Sequence, residues 1–380
     1  MSRYFVTCAR GLEAVTASEM LSFGATKADP VPGGVAVEGG QEVMYRANLW
    51  SRTANRVLQV LRSFPARNPD ELYQGFHSFK WETFFRTANT FSVECTLGGR
   101  LNPQLNHSHY AKLRIKDAVV DRMREKSGGA RPDVDVEDPD LPIVAYVRDG
   151  ECTINLDASG GSLHERGYRL DGAFAPLKET LAAGLIELSG WNGREPFFDP
   201  MCGSGTLPIE AALKAGNVAP GLLRKRYPFQ RWPDYHQELW DRLWSEAKAA
   251  RSPVSEGLIF GADRSGRALL AAQENARNAG FGAREILFLK QEFASIQRPT
   301  EVPGVIVVNP PYGERLGDVE ELAPLYKQMG DLFKQRFQGW RAYVFTGNLE
   351  LAKHVGLRAT RRVPLFNGPI ECRLLEYKLY

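Results

Sequence analysis

The sequence predicts an α/β protein that begins with small α+β units and ends in a mostly parallel, doubly wound sheet. From about residue 161, strand-like and helix-like segments alternate, the pattern of a parallel sheet covered by helices on both faces. Before that point, alternating apolar residues around Asp149 and Gly150 predict a β-hairpin. A length of 380 residues suggests about two or three domains, each with its own core.

Composition restricts the class of protein. The chain is 43% hydrophobic and 24% charged, which predicts a globular rather than a disordered protein. Its 48 basic and 45 acidic residues give a net charge of +3, too small to establish a polyanionic partner. Five dispersed cysteines without a C-x-x-C pair argue against a disulfide framework or zinc ribbon, and favour a reduced, cytoplasmic setting. No apolar run predicts a membrane span or signal peptide, no metal site is expected, and the oligomeric state stays open.

The first 160 residues divide into two predicted units. Residues 1–50 contain a strand at 4–9 followed by a helix with apolar residues at helical spacing. Residues 51–160 contain an alternating strand at 91–97, a helix at 106–126 and the hairpin described above. Both units therefore have an α+β pattern.

The remaining residues, 161–380, predict the parallel sheet. The strands are expected at 196–199, 258–263, 286–289, 305–308 and 342–345. Apolar segments on both sides of Asn367 and Gly368 predict a closing antiparallel hairpin. The segment 160–176 combines glycines and charges without a period, which predicts a linker.

An insertion at about 217–255 interrupts this rhythm, because more than fifty residues separate Gly205 from Asp263. Its basic and aromatic residues are Arg224, Lys225, Arg226, Trp232, Trp240 and Trp244. Such residues could clamp nucleic acid. They are equally consistent with an amphipathic helix that packs its tryptophans, and the sequence leaves both interpretations open.

A glycine turn follows the first parallel strand in FFDPMCGSGTLPIEAAL. Gly203 and Gly205 allow a ligand to approach the backbone closely. The turn lacks the third glycine of the dinucleotide fingerprint and the Gly-Lys-Ser/Thr of a P-loop, which disfavours NAD and ATP. Asp199 precedes it and would face a cationic ligand, and S-adenosylmethionine carries both a sulfonium and an ammonium group. The closing hairpin is also typical of methyltransferase sheets.

Two further acids follow strands of the same sheet. Asp263 is placed to accept hydrogen bonds from both ribose hydroxyls of such a cofactor. Glu292 could accept one from the adenine amino group. The alternative for each is a helix N-cap or a solvated strand end.

The segment VIVVNPPYGERLG carries the strongest chemical signal. The amine of an aromatic ring is a poor nucleophile because its lone pair is delocalised, so a methylating site must favour a pyramidal nitrogen. The side-chain oxygen of Asn309 and the carbonyl of Pro310, made rigid by Pro311, would accept the two amine hydrogens. Tyr312 can stack on the ring, and alignment rather than a strong base supplies most of the acceleration. The alternative is a simple turn at a strand end.

These motifs resemble a known family along essentially the whole chain. The segments TCARGLEA, LDASGGSLHERGYR, APLKETLAAGLIELSGW, DPMCGSGTLPIEAAL and NPPYGERLG are similar to those of bacterial RlmL-type enzymes. The resemblance implies a ferredoxin-like segment at 1–50, a THUMP RNA-binding domain at 51–160 and a Rossmann-like class I methyltransferase domain at 161–380. It also implies S-adenosylmethionine-dependent methylation of guanine N2 in large-subunit ribosomal RNA.

The resemblance assigns roles to particular residues. Those expected at the cofactor are Asp199, Cys202, Gly203, Gly205, Thr206, Asp263, Glu292 and Asn309, and those of the catalytic loop are Asn309, Pro310, Pro311 and Tyr312. At the adenine position Glu292 replaces the commoner aspartate. The candidates for RNA phosphate contacts are His109, Lys112, Arg114 and Lys116, which could instead be a solvated face. Lys178 and Thr180 either line the cofactor pocket or form an ordinary helical turn.

Other functions use the same scaffold. A tRNA guanine-N2 methyltransferase is one alternative, and an adenine-N6, cytosine-N4 or glutamine-N5 methyltransferase is another, since all act on a planar amine. A third is a non-catalytic RNA-binding assembly factor. The intact segment 309–312 disfavours the third, and the N-terminal units disfavour a glutamine substrate. Some relatives continue into a second methyltransferase module, so a chain that stops at Tyr380 is expected to make one modification.

Overall fold

A computed structural model describes residues 1–100, 103–169, 177–313 and 318–380. The helices are α1 Glu13–Ser22, α2 Gln41–Trp50, α3 Pro69–His77, α4 Ser108–Lys126, α5 Glu179–Leu188, α6 Thr206–Ala215, α7 Gln237–Ala249, α8 Gly266–Asn278, α9 Asp318–Arg336 and α10 Leu349–His354. The strands are β1 Ser2–Cys8, β2 Lys27–Val31, β3 Gly34–Gly39, β4 Ala54–Pro65, β5 Thr90–Gly98, β6 Asp133–Val134, β7 Leu141–Arg148, β8 Glu151–Asp157, β9 Phe197–Asp199, β10 Ile259–Asp263, β11 Ile286–Lys290, β12 Val305–Val308, β13 Arg341–Thr346, β14 Arg361–Asn367 and β15 Ile370–Lys378.

Residues 1–160, the N-terminal unit, are built on a single sheet with the strand order β2-β3-β1-β4-β8-β7-β5-β6. The long strand β4 pairs antiparallel with β1 on one side and with β8 on the other. The two predicted N-terminal units therefore share one continuous sheet. The predicted hairpin joins β7 to β8, and both turn residues, Asp149 and Gly150, have positive φ, as a tight two-residue turn requires.

Helix α4 packs on this sheet through the apolar face that the sequence predicts. Ile115, Val119 and Met123 are buried, because residues four apart lie on one face of a helix. His109 on another face is exposed, and Lys112 is half-buried. The helix thus turns a basic face outward.

Residues 161–380, the C-terminal unit, are built on a second sheet with the order β11-β10-β9-β12-β13-β15-β14. The first five strands in this order run parallel, since β9 pairs in parallel with both β10 and β12. The predicted closing hairpin is confirmed, because β15 pairs antiparallel with β13 and with β14. Buried aliphatic and aromatic side chains cover both faces of the sheet.

The predicted insertion packs on the N-terminal unit. Tyr45 on α2 contacts Phe229 and Trp240, with ring centroids 4.8 Å and 5.6 Å apart. The indole N–H of Trp232 donates to the carbonyl oxygen of Asp140 at 3.2 Å. Both tryptophans are buried, so they are unavailable to clamp nucleic acid and the packing interpretation is the right one for them.

Arginines of the insertion also bind the N-terminal unit and the first residues that follow it. The guanidinium of Arg224 donates to the backbone carbonyls of Ser159, Gly160, Ser162 and Glu165 at 2.9–3.4 Å. Arg226 and Arg231 form ion pairs with Asp138 at 2.7 Å and 2.9 Å. The insertion therefore neutralises Asp138 in the acidic segment before β7.

The described part of the predicted linker, residues 160–169, is tightly packed rather than loose. Arg166 and Tyr168 are buried, and both donate to Glu210 on α6, at 3.5 Å and 3.2 Å. Arg166 also donates to the carbonyl oxygen of Arg52 at 2.5 Å. This segment therefore joins the two units of the chain through buried charges.

Candidate active site

The parallel strands of the C-terminal unit end along one edge, and the candidate residues meet there. Phe198 lies opposite Phe260 on β10 and Ile306 on β12. Asp199, Asp263 and Asn309 each follow within three residues of these positions. After β9 the chain forms β10 and β11 on one side of that strand, and then β12 and β13 on its other side. Such a reversal of strand order opens a crevice at the carboxyl ends of the strands. The structure thus brings three residues from distant parts of the sequence together.

The glycine turn between β9 and α6 shapes the floor of the crevice. Gly205 has φ +84°, and a Cβ there would lie 2.9 Å from Cβ of Ala272 on α8. Gly203 has φ +53°, but a Cβ there would meet no atom of the described chain within 4 Å. Gly205 is therefore required for packing, whereas Gly203 borders open space that a ligand can fill.

Asp199 is buried at the end of β9. Burial raises the pKa of its carboxyl group to about 8; the N–H of Met201, 3.1 Å from Oδ1, opposes this shift and the nearby Asp263 adds to it. Burial likewise raises the pKa of the neighbouring Cys202 thiol well above its usual value, so this cysteine is a neutral, small side chain. A cation bound beside Asp199 would stabilise its charged form.

Asp263 is half-exposed at the end of β10 and holds the glycine turn in place. Its Oδ2 accepts a hydrogen bond from the N–H of Gly203 at 3.0 Å, and its Oδ1 accepts one from Ser265 at 2.8 Å. Each carboxylate oxygen keeps a second lone pair. The N-cap of α8 is Ser265, not Asp263, and the two backbone contacts of Asp263 are compatible with a ribose contact.

The predicted adenine acceptor lies in a less constrained position. Glu292 is exposed where a single helical turn begins after β11. Its neighbour Gln291 carries a side-chain oxygen, Oε1, that is buried without a hydrogen-bond partner in the described chain. The sequence does not single out Gln291, because an uncharged amide beside Glu292 carries no signal that distinguishes it from a surface residue.

Arg169 is a further site residue that the sequence did not predict. Its Nη2 donates to the hydroxyl of Thr206 and to the carbonyl of Leu177, both at 3.1 Å, and its Nε donates to Glu179 at 2.8 Å. Its Nη1 is buried without a partner in the described chain. A guanidinium held in this way beside the first turn of α6 suits an anionic ligand group.

The catalytic-loop candidates follow β12. The Oδ1 atom of Asn309 is buried and accepts no hydrogen bond from the described residues, which is unusual for a buried polar atom. The carbonyl of Pro311 accepts a hydrogen bond from the hydroxyl of Tyr326 at 3.2 Å. The hydroxyl of Tyr312 accepts one from the side chain of Asn367 at 2.8 Å. One contact thus holds the backbone of the loop and the other holds the Tyr312 side chain, while the Asn309 acceptor is left for a ligand.

The RNA-contact candidates on α4 do not form one group. Arg114 forms an ion pair with Asp70 at 3.2 Å, and its guanidinium lies 4.8 Å from the ring centre of Tyr73. Arg114 is therefore held by α3. Lys112 and Lys116 are half-buried. Among the described residues Lys112 has no ion partner, and Lys116 has only the Asp117 carboxylate, 4.0 Å away.

The two remaining candidates, at the start of α5, take different positions. The hydroxyl of Thr180 is buried and donates to Asn55 at 2.7 Å, so it joins the two units. Lys178 is exposed.

In the described ranges, no group of three or more acidic, cysteine or histidine side chains is arranged to hold a metal ion. No helix in those ranges has the length and apolar character that a membrane crossing requires. All five cysteines are free thiols.

Comparison with known proteins identifies the parts of the chain. Family models match an RlmL ferredoxin-like domain at 3–58, a THUMP domain at 66–157 and an RMKL-like methyltransferase domain at 166–376. Together with the two sheets, these matches confirm the predicted fold class.

Individual relatives cover the chain from end to end. A candidate RNA methyltransferase of Synechocystis sp. is 43% identical over 377 residues, which are 99% of this chain and 97% of that protein. The ribosomal RNA large subunit methyltransferase K/L of Syntrophotalea carbinolica is 43% identical over 386 residues, covering 99% of this chain and 53% of that protein. The chain thus spans about half the length of this second relative. A candidate methyltransferase in complex with SAH (S-adenosylhomocysteine) superposes with a TM-score of 0.88 at 29% identity, covering 100% and 98% of the two chains.

Proposed function

This chain belongs to the RMKL-like methyltransferase family, and we propose that it transfers a methyl group from S-adenosylmethionine to guanine N2 of large-subunit ribosomal RNA. The observation that carries this proposal is the Oδ1 of Asn309, which is buried at the edge where the parallel strands end and has no hydrogen-bond partner among the described residues. An exocyclic amine can supply the N–H that this acceptor needs.

The residues of the crevice fit S-adenosylmethionine, which supplies an electrophilic methyl group on a sulfonium. Asp199 would face its positively charged methionine end, and Nη1 of Arg169, which no other described residue engages, would bind the carboxylate there. The second lone pairs of the Asp263 carboxylate would accept from the ribose hydroxyls. Gln291 or Glu292 would accept from the adenine amino group.

The catalytic loop would act on the target amine. Asn309 Oδ1 and the Pro310 carbonyl would each accept one N–H, which holds the nitrogen lone pair toward the cofactor and stabilises the positive charge that develops on nitrogen. Tyr312 would stack on the base, and its hydroxyl contact with Asn367 supports its position. Because a base inside a helix cannot reach this crevice, the target must be flipped out or single-stranded.

RNA as the substrate is supported by the THUMP match and by the names of the two relatives. The guanine N2 position and the ribosomal target rest on the resemblance to RlmL-type enzymes. Lys112 and Lys116 on the outer face of α4 are the phosphate contacts that we propose, whereas Arg114 is placed second because Asp70 already neutralises it.

The test is methylation of RNA from cells that lack the enzyme. Total RNA, purified 23S RNA and tRNA are incubated separately with methyl-labelled S-adenosylmethionine, and the product nucleoside is mapped by mass spectrometry. N2-methylguanosine in 23S RNA, and its absence with Asn309→Ala, supports the proposal. N2-methylguanosine in tRNA alone would reassign the substrate, and N6-methyladenosine would reassign the base.

A further inference from the structure

The segment that follows β1 joins the N-terminal unit to the C-terminal unit beside the catalytic loop. Leu12 is fully buried in the core of the C-terminal unit, where it packs against Gly184 so closely that a Cβ on this glycine would overlap it. Gly11 has φ +93°, and a Cβ there would overlap the carbonyl oxygen of Pro364 on β14. The segment is therefore fixed from both sides.

This anchoring presents one side chain, Arg10, at the surface. Its carbonyl oxygen accepts a hydrogen bond from the N–H of Phe366 at 3.1 Å, and its guanidinium lies 4.1 Å from the centre of the Phe366 ring. The side chain is exposed and forms no ion pair with any described residue. The nearest acid in sequence, Glu13, already binds the backbone N–H groups of Gly11 and Gly33, at 2.7 Å and 3.1 Å.

The guanidinium of Arg10 is stacked at the end of β14 that contacts the catalytic loop. Asn367 follows Phe366 directly, and its side chain donates to the Tyr312 hydroxyl at 2.8 Å. A stacked arginine loses little freedom on binding, and its planar fork matches a phosphate better than a lysine does. Phosphate contacts of this kind position a nucleic acid without reading its sequence.

We propose that Arg10 binds a phosphate of the RNA strand beside the target nucleotide, so that the N-terminal unit contributes directly to the substrate site of the C-terminal unit. This inference rests on the proposed function and deepens it. A base that leaves its stack to enter the crevice keeps its flanking phosphates at the rim. Arg10 would hold one of them and thereby place the base in front of Tyr312.

The experiment compares Arg10→Ala, Arg10→Lys and Arg10→Met in the full-length protein, with Arg3→Ala as the matched control. Arg3 is also exposed and lies near the opposite end of β1, roughly 20 Å away. The measurements are kcat and KM for RNA at several salt concentrations, and SAH affinity by calorimetry.

We expect Arg10→Ala to lower kcat/KM about tenfold, mainly through KM, with unchanged SAH affinity. The slope of log(kcat/KM) against log[salt] should fall by about 1. Lysine should rescue more than methionine, because lysine keeps the charge and methionine keeps only the apolar stem. Arg3→Ala should behave as wild type.

Wild-type kinetics and salt slope in Arg10→Ala would overturn the inference. So would better rescue by methionine than by lysine, or an equal loss in Arg3→Ala, because both would indicate packing or general charge instead. These results require a wild-type enzyme that methylates RNA. If the wild type methylates no RNA, the proposed function itself has failed, and the two failures are thereby distinguished.

Discussion

Replacement of Asn309 by alanine tests whether its side-chain oxygen accepts a hydrogen bond from the target amine. The substitution removes a buried carbonyl oxygen that has no donor in the described chain. A buried polar atom without a partner destabilises a protein by about 1–3 kcal/mol, so its removal should offset the packing lost on truncation. We therefore expect the free energy of unfolding to change by no more than about 1 kcal/mol.

The effect on catalysis should be much larger. One preorganised hydrogen-bonding group directed at charge that develops in the transition state contributes about 10²–10³ in rate. If Oδ1 accepts an amine N–H in the reaction, Asn309→Ala should reduce single-turnover methyl transfer by that factor. The cofactor is held mainly by residues on other strands, so SAH affinity should stay within about threefold of wild type.

The assay combines urea unfolding, calorimetry with SAH and single-turnover methylation of RNA. The matched control is Asn68→Ala, because Asn68 Oδ1 caps α3 by accepting from Asp70 and Glu71 at 3.0 Å and 2.9 Å. That control should lose about 1 kcal/mol of stability and retain activity. An Asn309→Ala enzyme that loses SAH affinity and turnover in equal proportion would refute the assigned role.

Three other predictions follow from the geometry. Burial raises the pKa of Asp199 to about 8, so its carboxyl group is protonated below that pH and should release a proton when a cationic cofactor binds. The cofactor affinity measured by calorimetry should therefore rise with pH up to about 8, and Asp199→Asn should abolish this dependence. Gly205→Ala should lower the free energy of unfolding by about 2–4 kcal/mol in urea, because Cβ meets α8, whereas Gly203→Ala should lower it by about 1–2 kcal/mol and weaken SAH binding more strongly. Joint replacement of Lys112 and Lys116 by alanine should weaken RNA binding and reduce its salt slope by about 2, measured by filter binding.

Each of these has a clear opposing result. A pH-independent affinity in the wild type would show that Asp199 does not face a cation. Equal stability and equal SAH affinity in the two glycine variants would mean that Gly205 does not pack as described and that Gly203 does not border the ligand. An unchanged salt slope in the double lysine variant would remove α4 from the RNA interface.

The sequence predicts those parts of the fold whose signal is local. Each predicted parallel strand lies within about one residue of an observed one, because short apolar runs between turn residues define strands well. Both predicted hairpins form, because each contains a glycine that takes the positive φ of a tight turn, Gly150 in one and Gly368 in the other. In the second hairpin the turn lies one residue later than predicted, at Gly368 and Pro369, since Asn367 ends β14 and pairs with Ile370. Asp199, Asp263 and Asn309 could be expected together because ends of parallel strands share an edge.

Residues whose role depends on tertiary docking were not predictable. Arg169 lies in an aperiodic segment that indicates only a linker, and its contact with Thr206 spans 37 positions. Arg114 is a residue type that commonly contacts phosphate, but α3 places Asp70 next to it. The tryptophans of the insertion carry no pattern that distinguishes a nucleic-acid surface from a core, because either use requires aromatic residues at similar spacing.

The contact between Tyr45 and the aromatic residues of the insertion has a consequence for how this architecture can be divided. A cut near residue 160 would leave the two sides of that shared core on different fragments, each with exposed aromatic surface prone to aggregation. RNA-binding and methylating halves are therefore poor candidates for recombination as interchangeable modules. A graft of a foreign RNA-binding half would need to carry a matching counterpart of Tyr45, or replace the insertion as well.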